Sequence, residues 1–266
     1  MNGLDLFSGI GGIGIALEPW VRTVAYCERD RYAQSVLLSR MRSGDIDRAP
    51  IWDDITTLRA EMLPRIDIIF GGFPCQDLSV AGRGAGLAGE RSGLFFEIAR
   101  LIRECEPRFI FLENVPAIRS RGLHTVLQEL TSLGYDCRWT VLSAAAVGAP
   151  HKRDRWFLLA HSNSLRKLSE QRKHDRASNS GQDVAHAPGE RVQGLRASGQ
   201  QEPSSHGKKE LPLRKSKGSI KSDWSVEPDV LRVVNGLPDR AHRIRCLGNS
   251  VVPLQVREAF KKLGGL

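Results

Sequence analysis

Through its first 160 residues the chain alternates short apolar runs with stretches of helical period. This alternation constrains the fold more than any other feature. Short apolar runs suit strands buried on both faces, and a helix between two of them returns the chain for parallel pairing. The runs predict strands at Leu4-Asp5-Leu6-Phe7, Thr23 to Cys27, Ile66 to Phe70, Arg108 to Leu112, Tyr135 to Leu142 and Trp156 to Ala160, with the pair Ile51-Trp52 as a further short one. Asp30 caps a helix through Met41, and Ser92 caps another through Cys105, with Leu94, Ile98, Leu101 and Ile102 near one face. A helix from Leu123 to Leu133 ends at Gly134, a left-handed cap. The prediction is an α/β fold, a doubly wound, mostly parallel sheet covered on both faces. In such a sheet, sites form beyond the carboxyl ends of the strands.

The 266 residues suffice for a large domain, or a large and a small one. No apolar run reaches membrane-span length and the N-terminus lacks a signal-peptide pattern, so the expected location is the cytoplasm, with no membrane contact. The five cysteines, Cys27, Cys75, Cys105, Cys137 and Cys246, form no CxxC pair, so neither a metal site nor a disulfide framework is expected.

At His161 the alternation stops. Residues 161–222 contain no Phe, Trp, Tyr, Met or Cys, and carry 13 Lys or Arg against 6 Asp or Glu, a surplus of 7 in a chain of net charge +9. Such a segment cannot build a normal core. It reads as a disordered insertion, as a basic element that orders on a polyanion, or as both. Residues 223–266 read as a folded tail with a closing helix, docked on residues 1–160.

Four constellations fall at the predicted strand ends. Asp5 to Gly14, DLFSGIGGIG, leads a strand into Gly9, Gly11, Gly12 and Gly14; Glu28 ends the next strand, and Asp53 and Asp54 follow Ile51-Trp52. Glycines allow close backbone approach, and a strand-end carboxylate can accept from ribose hydroxyls, so the order points to a nucleoside-bearing cofactor. Asp5 is either a carboxylate near that cofactor or a structural acceptor for the turn. Cys75, in GGFPCQDLS, follows an apolar strand and is either a buried thiol or a nucleophile. Glu113, at the end of Phe111-Leu112, is either an acid on the next helix or a desolvated proton donor. Arg153 and Arg155, in HKRDR, share one side of an extended segment and suit either solvent or a base and phosphate.

Taken together these motifs resemble the C5-cytosine DNA methyltransferase family. DLFSGIGG resembles its first cofactor motif, GGFPCQDLS its proline-cysteine motif, Glu113-Asn114-Val115 its acid motif, and His151-Lys152-Arg153-Asp154-Arg155 its arginine segment, with histidine where glutamine is common. Gly248 to Pro253, GNSVVP, resembles the closing motif. The resemblance implies the S-adenosylmethionine-dependent methyltransferase fold with 161–222 as a small inserted target-recognition region. It implies a DNA (cytosine-5)-methyltransferase that flips a cytosine out of double-stranded DNA and bonds it to Cys75. Glu113 would serve nitrogen 3 and Arg155 oxygen 2, with Arg153 supporting Glu113 or the loop backbone. For the cofactor, S-adenosyl-L-methionine, it implies Phe7 on the adenine, Ser8, Gly9, Gly11 and Gly12 around the methionine part, Glu28 on the ribose, Asp54 on the adenine amino group, and Pro74 and Asn249 as walls. Gln76, Ser79 and Arg83 become candidates for DNA contact. The partners implied are double-stranded DNA and a cognate restriction endonuclease acting on the same site, the chain itself being a monomer associated with the nucleoid when bound. An RNA cytosine-5 methyltransferase and a catalytically silent DNA-binding or regulatory homologue share the same motifs.

Overall fold

The computed structural model describes residues 1–74, 93–163 and 240–265. In chain order its elements are β1 (Asn2–Leu6), α1 (Gly12–Leu17), β2 (Arg22–Cys27), α2 (Arg31–Ser43), β3 (Ile51–Trp52), β4 (Ile68–Gly72), α3 (Leu94–Cys105), β5 (Phe109–Asn114), α4 (Ile118–Arg121), α5 (Leu123–Ser132), β6 (Tyr135–Ser143), β7 (Asp154–Ser162), α6 (Arg240–Asn249) and α7 (Pro253–Lys262). The strands form one sheet in the order β3-β2-β1-β4-β5-β7-β6. β3, β2, β1, β4 and β5 run parallel, and β7 lies antiparallel between β5 and β6. The expected mostly parallel α/β sheet is therefore present.

Alternation along the central strands sends apolar side chains to both faces. Leu4, Leu6, Ile69, Ile110, Leu112 and Leu158 pack with Phe95, Ile98 and Leu101 of α3 and Val126 and Leu130 of α5. Ile68, Phe70, Phe109, Phe111, Phe157 and Leu159 meet Ile13 and Leu17 of α1 and Val256, Ala259 and Phe260 of α7. Phe111 sits at the centre, stacked on Phe157 at 5.9 Å and edge-on to Phe260 at 5.2 Å. These contacts fasten the C-terminal helix to the sheet, with Pro253 at its first turn, where a missing N–H costs nothing.

Local signals acted as expected. The Asp30 carboxylate accepts from the N–H groups of Tyr32 (2.8 Å) and Ala33 (3.0 Å) and starts α2. Gly134, at φ 84°, follows α5, its N–H donating to the Thr131 carbonyl at 2.9 Å. Two differences have physical causes. β7 extends past Ala160 through Ser162, because the ladders to β5 and β6 continue to His161 and Ser162 whatever the composition. α6 was not foreseen: nearly all of its side chains with described exposure are open to solvent, so it has no apolar stripe to betray a helical period.

Candidate active site

The carboxyl ends of β1, β2, β4 and β5, the start of β7 and the segment around α6 enclose a cavity of about 610 Å³. Its lining includes Phe7, Ser8, Gly9, Gly12, Glu28, Pro74, Glu113, Arg155 and Asn249, all expected from sequence.

At one end the chain leaves β1 through Phe7, at φ 52°, and turns at Gly9 and Gly11. The Ser8 hydroxyl ties this turn to its strand by donating to the Asp5 carbonyl at 2.8 Å. The Glu28 carboxylate accepts from the Gly9 N–H and the Asp30 N–H, both at 2.7 Å. It thus fastens the β1 turn to the β2 end with its orientation held by backbone. Gly12 comes so close to the closing segment that a Cβ there would lie 3.0 Å from Val251 Cγ2.

At the other end Arg155 Nε pairs with Glu113 Oε1 at 2.9 Å, and both side chains are largely buried. Burial pushes the Glu113 carboxyl up to about 7; the Arg155 and Arg153 charges and the Arg155 hydrogen bond pull it down but do not cancel the desolvation. Gly72, opposite Glu113 in the β4–β5 ladder, makes room for the carboxylate: a Cβ there would sit 2.6 Å from Glu113 Oε2. Asn114 Nδ2 donates to the Phe73 carbonyl at 2.9 Å, while its Oδ1 accepts from the Val115 N–H at 2.8 Å. Beyond that carbonyl, Pro74 carries a ring-locked φ into the cysteine loop.

Three expected residues lie apart from the cavity wall. Gly11, at φ 84°, faces α2, where a Cβ would meet Leu37 Cδ2 at 3.2 Å. Asp54 follows β3, its Oδ1 accepting from Thr56 N–H (2.9 Å) and Thr56 hydroxyl (2.8 Å), which keeps its carboxyl low. The Arg153 side chain donates to the carbonyls of Gly248 (2.7 Å) and Ser250, so it binds closing-segment backbone. Cys75, Gln76, Ser79 and Arg83 lie outside the described residues, as do the Ser92 cap and the basic segment from residue 164 onward. Sequence reasoning passed over Gly72, Asn114 as a side chain in its own right, and Arg245 and Cys246 of α6, which also line the cavity. Gly72 and Asn114 carried a local signal, each standing beside a motif residue; α6 carried none.

A parallel sheet with an antiparallel β7 slotted beside β5, and a glycine turn tied to an acid at the end of β2, define the class: the α/β fold of the S-adenosylmethionine-dependent methyltransferases. Within that class the chain belongs to the C-5 cytosine-specific DNA methylase family, whose model matches residues 1–228. It is similar to the Type II methyltransferase M.CviJI of Paramecium bursaria Chlorella virus IL3A, 30% identical over 262 residues, 98% of this chain and 58% of that protein. Against the Type II methyltransferase M.HhaI of Haemophilus parahaemolyticus it is 36% identical over 167 residues, 61% of this chain and 49% of that one. The chain thus spans about half the length of the curated relatives it matches. A crystal structure of a Spodoptera frugiperda DNMT2 mutant superposes with a TM-score of 0.52 at 22% identity, covering 62% of this chain and 50% of that one, and supports the fold.

Proposed function

We propose that this chain is a DNA (cytosine-5)-methyltransferase, moving a methyl group from S-adenosylmethionine to carbon 5 of a cytosine swung out of duplex DNA. The observation that carries the proposal is the buried Glu113–Arg155 pair, 2.9 Å apart, in the same cavity as Glu28 and Phe7. One end presents an acid to a base; the other presents an acid and an aromatic ring to a nucleoside.

The residues present fit the cofactor. Glu28, oriented by two backbone N–H groups, suits the ribose hydroxyls, and Phe7 suits an adenine face. Ser8, Gly9 and Gly12 offer close backbone to the amino-acid part, Pro74 and Asn249 form walls, and Asp54 meets the adenine amino group with Oδ2, its Oδ1 being held by Thr56. Gly11 shapes the turn without touching the ligand. When bound, S-adenosylmethionine supplies an electrophilic methyl group.

The chain's own groups make carbon 5 able to accept it. The Cys75 thiolate adds to carbon 6, which breaks the ring's conjugation and leaves carbon 5 enamine-like. Glu113, poised near neutrality, holds a proton at nitrogen 3. Arg155 donates to oxygen 2, where charge develops during the addition. After transfer carbon 5 loses its proton and the sulfur departs with its electron pair. Among the described cysteines, burial pushes Cys27 up to about 12 and Cys105 and Cys137 up to about 11, which leaves them protonated and inert. Extruding the base costs a few kcal/mol, on the order of one unstacking step. Gln76, Ser79 and Arg83 serve the gap and its phosphates, and residues 161–222 act as the target-recognition insert between residues 1–160 and 223–266. A cognate restriction endonuclease acting on the same site, a monomeric state and association with the nucleoid complete the proposal. Among the described residues no helix is long and apolar enough to cross a membrane.

The test is methyl transfer from labelled S-adenosylmethionine to duplex DNA and to transfer RNA, with a 5-fluorocytosine duplex as trap. A covalent adduct mapped to Cys75 by peptide mass spectrometry is expected, and Cys75→Ser should bind cofactor without turnover. Methylation without an adduct, an adduct on another cysteine, or activity on RNA alone would overturn the reading.

A further inference from the structure

Gln255, on α7, is wholly buried, yet it lies in no motif the chemistry uses. Its Nε2 donates to two carbonyls at once, those of Leu142 and Arg153, each at 2.8 Å. Its Oε1 has no partner among the described residues, so the amide is held by its N–H groups alone. The two carbonyls share a neighbour. Leu142 stands directly opposite Arg155 in the β6–β7 ladder, and Arg153 precedes Arg155 by two residues. Only one further pair, Ser143 with Asp154, closes the ladder beyond Arg155. The end of a two-stranded ladder frays unless something holds it, and Gln255 holds both strands of this one.

The same junction is gripped from the other side. Arg153, a non-glycine residue at φ 31°, sends its guanidinium back to the carbonyls of Gly248 and Ser250 in the closing segment. A side chain held in that backbone region persists where its surroundings over-determine it. Gln255 and Arg153 thus form a reciprocal clasp between the closing segment and the residues that launch β7.

We infer that Gln255 is a positioning residue for the proposed reaction: by clasping the Leu142 and Arg153 carbonyls it fixes the backbone from which Arg155 reaches Glu113. The inference rests on the Glu113–Arg155 reading given above. Gln255 touches neither the cavity nor the reacting atoms. It acts through the placement of Arg155, and small misplacements of a group that must meet a developing charge are costly in rate.

The experiment compares Gln255→Met, similar in length but lacking both donors, with wild type. Single-turnover methylation should fall by about 10- to 100-fold while cofactor affinity holds. The alkaline limb of the rate profile, which follows loss of the Glu113 proton, should move to higher pH by about one unit as the Arg155 charge recedes. The charged groups acting on Glu113 are Arg155 and Arg153, and Arg153→Met, which opens the clasp from its other half, should move the limb the same way. A lower melting temperature with unchanged rate and unchanged limb would overturn the inference. A further measurement needs no variant: in wild-type protein the Gln255 side-chain amide protons should be protected from solvent exchange, and exchange at the free-glutamine rate would also overturn it. Glu113→Gln is run alongside. If it methylates at the wild-type rate, the Glu113–Arg155 reading fails; if it is dead while Gln255→Met keeps the wild-type rate and limb, only the role of Gln255 fails.

Discussion

At Glu113 burial and charge pull in opposite directions. Burial favours the neutral acid, Arg155 favours the carboxylate, and the balance sits at about 7. The neutral form is therefore preferred on folding. That contribution to stability is complete below the ordinary glutamate range and is lost as pH rises through about 7. Glu113→Gln, neutral at every pH, should raise the melting temperature relative to wild type at pH 8 and lose that advantage at pH 5. The gain, up to about 3 kcal/mol before the lost Arg155 pairing is subtracted, is readable by thermal melts at both pH values. The same variant should abolish methylation. Gly72 carries a second residue-scale prediction. An alanine methyl would displace the carboxylate it faces, so Gly72→Ala should cost about 100-fold in rate with cofactor binding unchanged by calorimetry.

At the scale of elements, β1 and α1 bury the Asp5 carboxyl against each other. Neither oxygen has a hydrogen-bond partner among the described residues, and a Cβ on Gly14 would lie 3.3 Å from Oδ2. Burial, with the Glu28 charge, pushes Asp5 well above the usual carboxylate range. The sign matches that at Glu113: stability from the neutral acid is lost as pH rises through the raised value. Asp5→Asn should therefore stabilise the fold more at pH 8 than at pH 4, as measured by denaturant midpoints. An equal effect at both would show that the carboxyl stays neutral throughout. The β4–β5 pair poses a different case. Asn114→Ala removes the only printed donor to the buried Phe73 carbonyl and should cost about 1–3 kcal/mol, measured by urea unfolding. Because that carbonyl is the foot of the cysteine loop, adduct formation with 5-fluorocytosine should slow as well.

For the whole molecule, charge is the relevant quantity. Seven of the nine net positive charges arise in residues 161–222, while the described fold is mostly balanced sheet and helix. If that segment meets DNA, each phosphate neutralised releases counterions. Five or more such contacts would give a slope of about −4.5 or steeper for log K against log salt concentration. Filter binding between low and physiological salt checks this, and a flat dependence would remove the segment from the interface. The division of labour is then physical as well as topological. The sheet holds the chemistry in a buried cavity, and the basic insert supplies long-range attraction.

Much of the fold was legible because its signals are local. The apolar runs marked Ile68 to Phe70 and Phe109 to Leu112 as strands, Asp30 announced α2, and glycines marked the turns that needed positive φ. The strand-end acids Glu28 and Glu113 were legible too, since a carboxylate after a buried strand must face a site or find a partner. What the chain could not disclose residue by residue was which partners those groups would take. That Arg155 reaches Glu113 while Arg153 turns to Gly248 and Ser250 depends on side chains more than 40 residues apart in one case and about 95 in the other. That Gln255 clasps Leu142 and Arg153 depends on where α7 docks. Hydrogen bonds and burial follow distances in space, and only the folded sheet, with its closing helix in place, sets those.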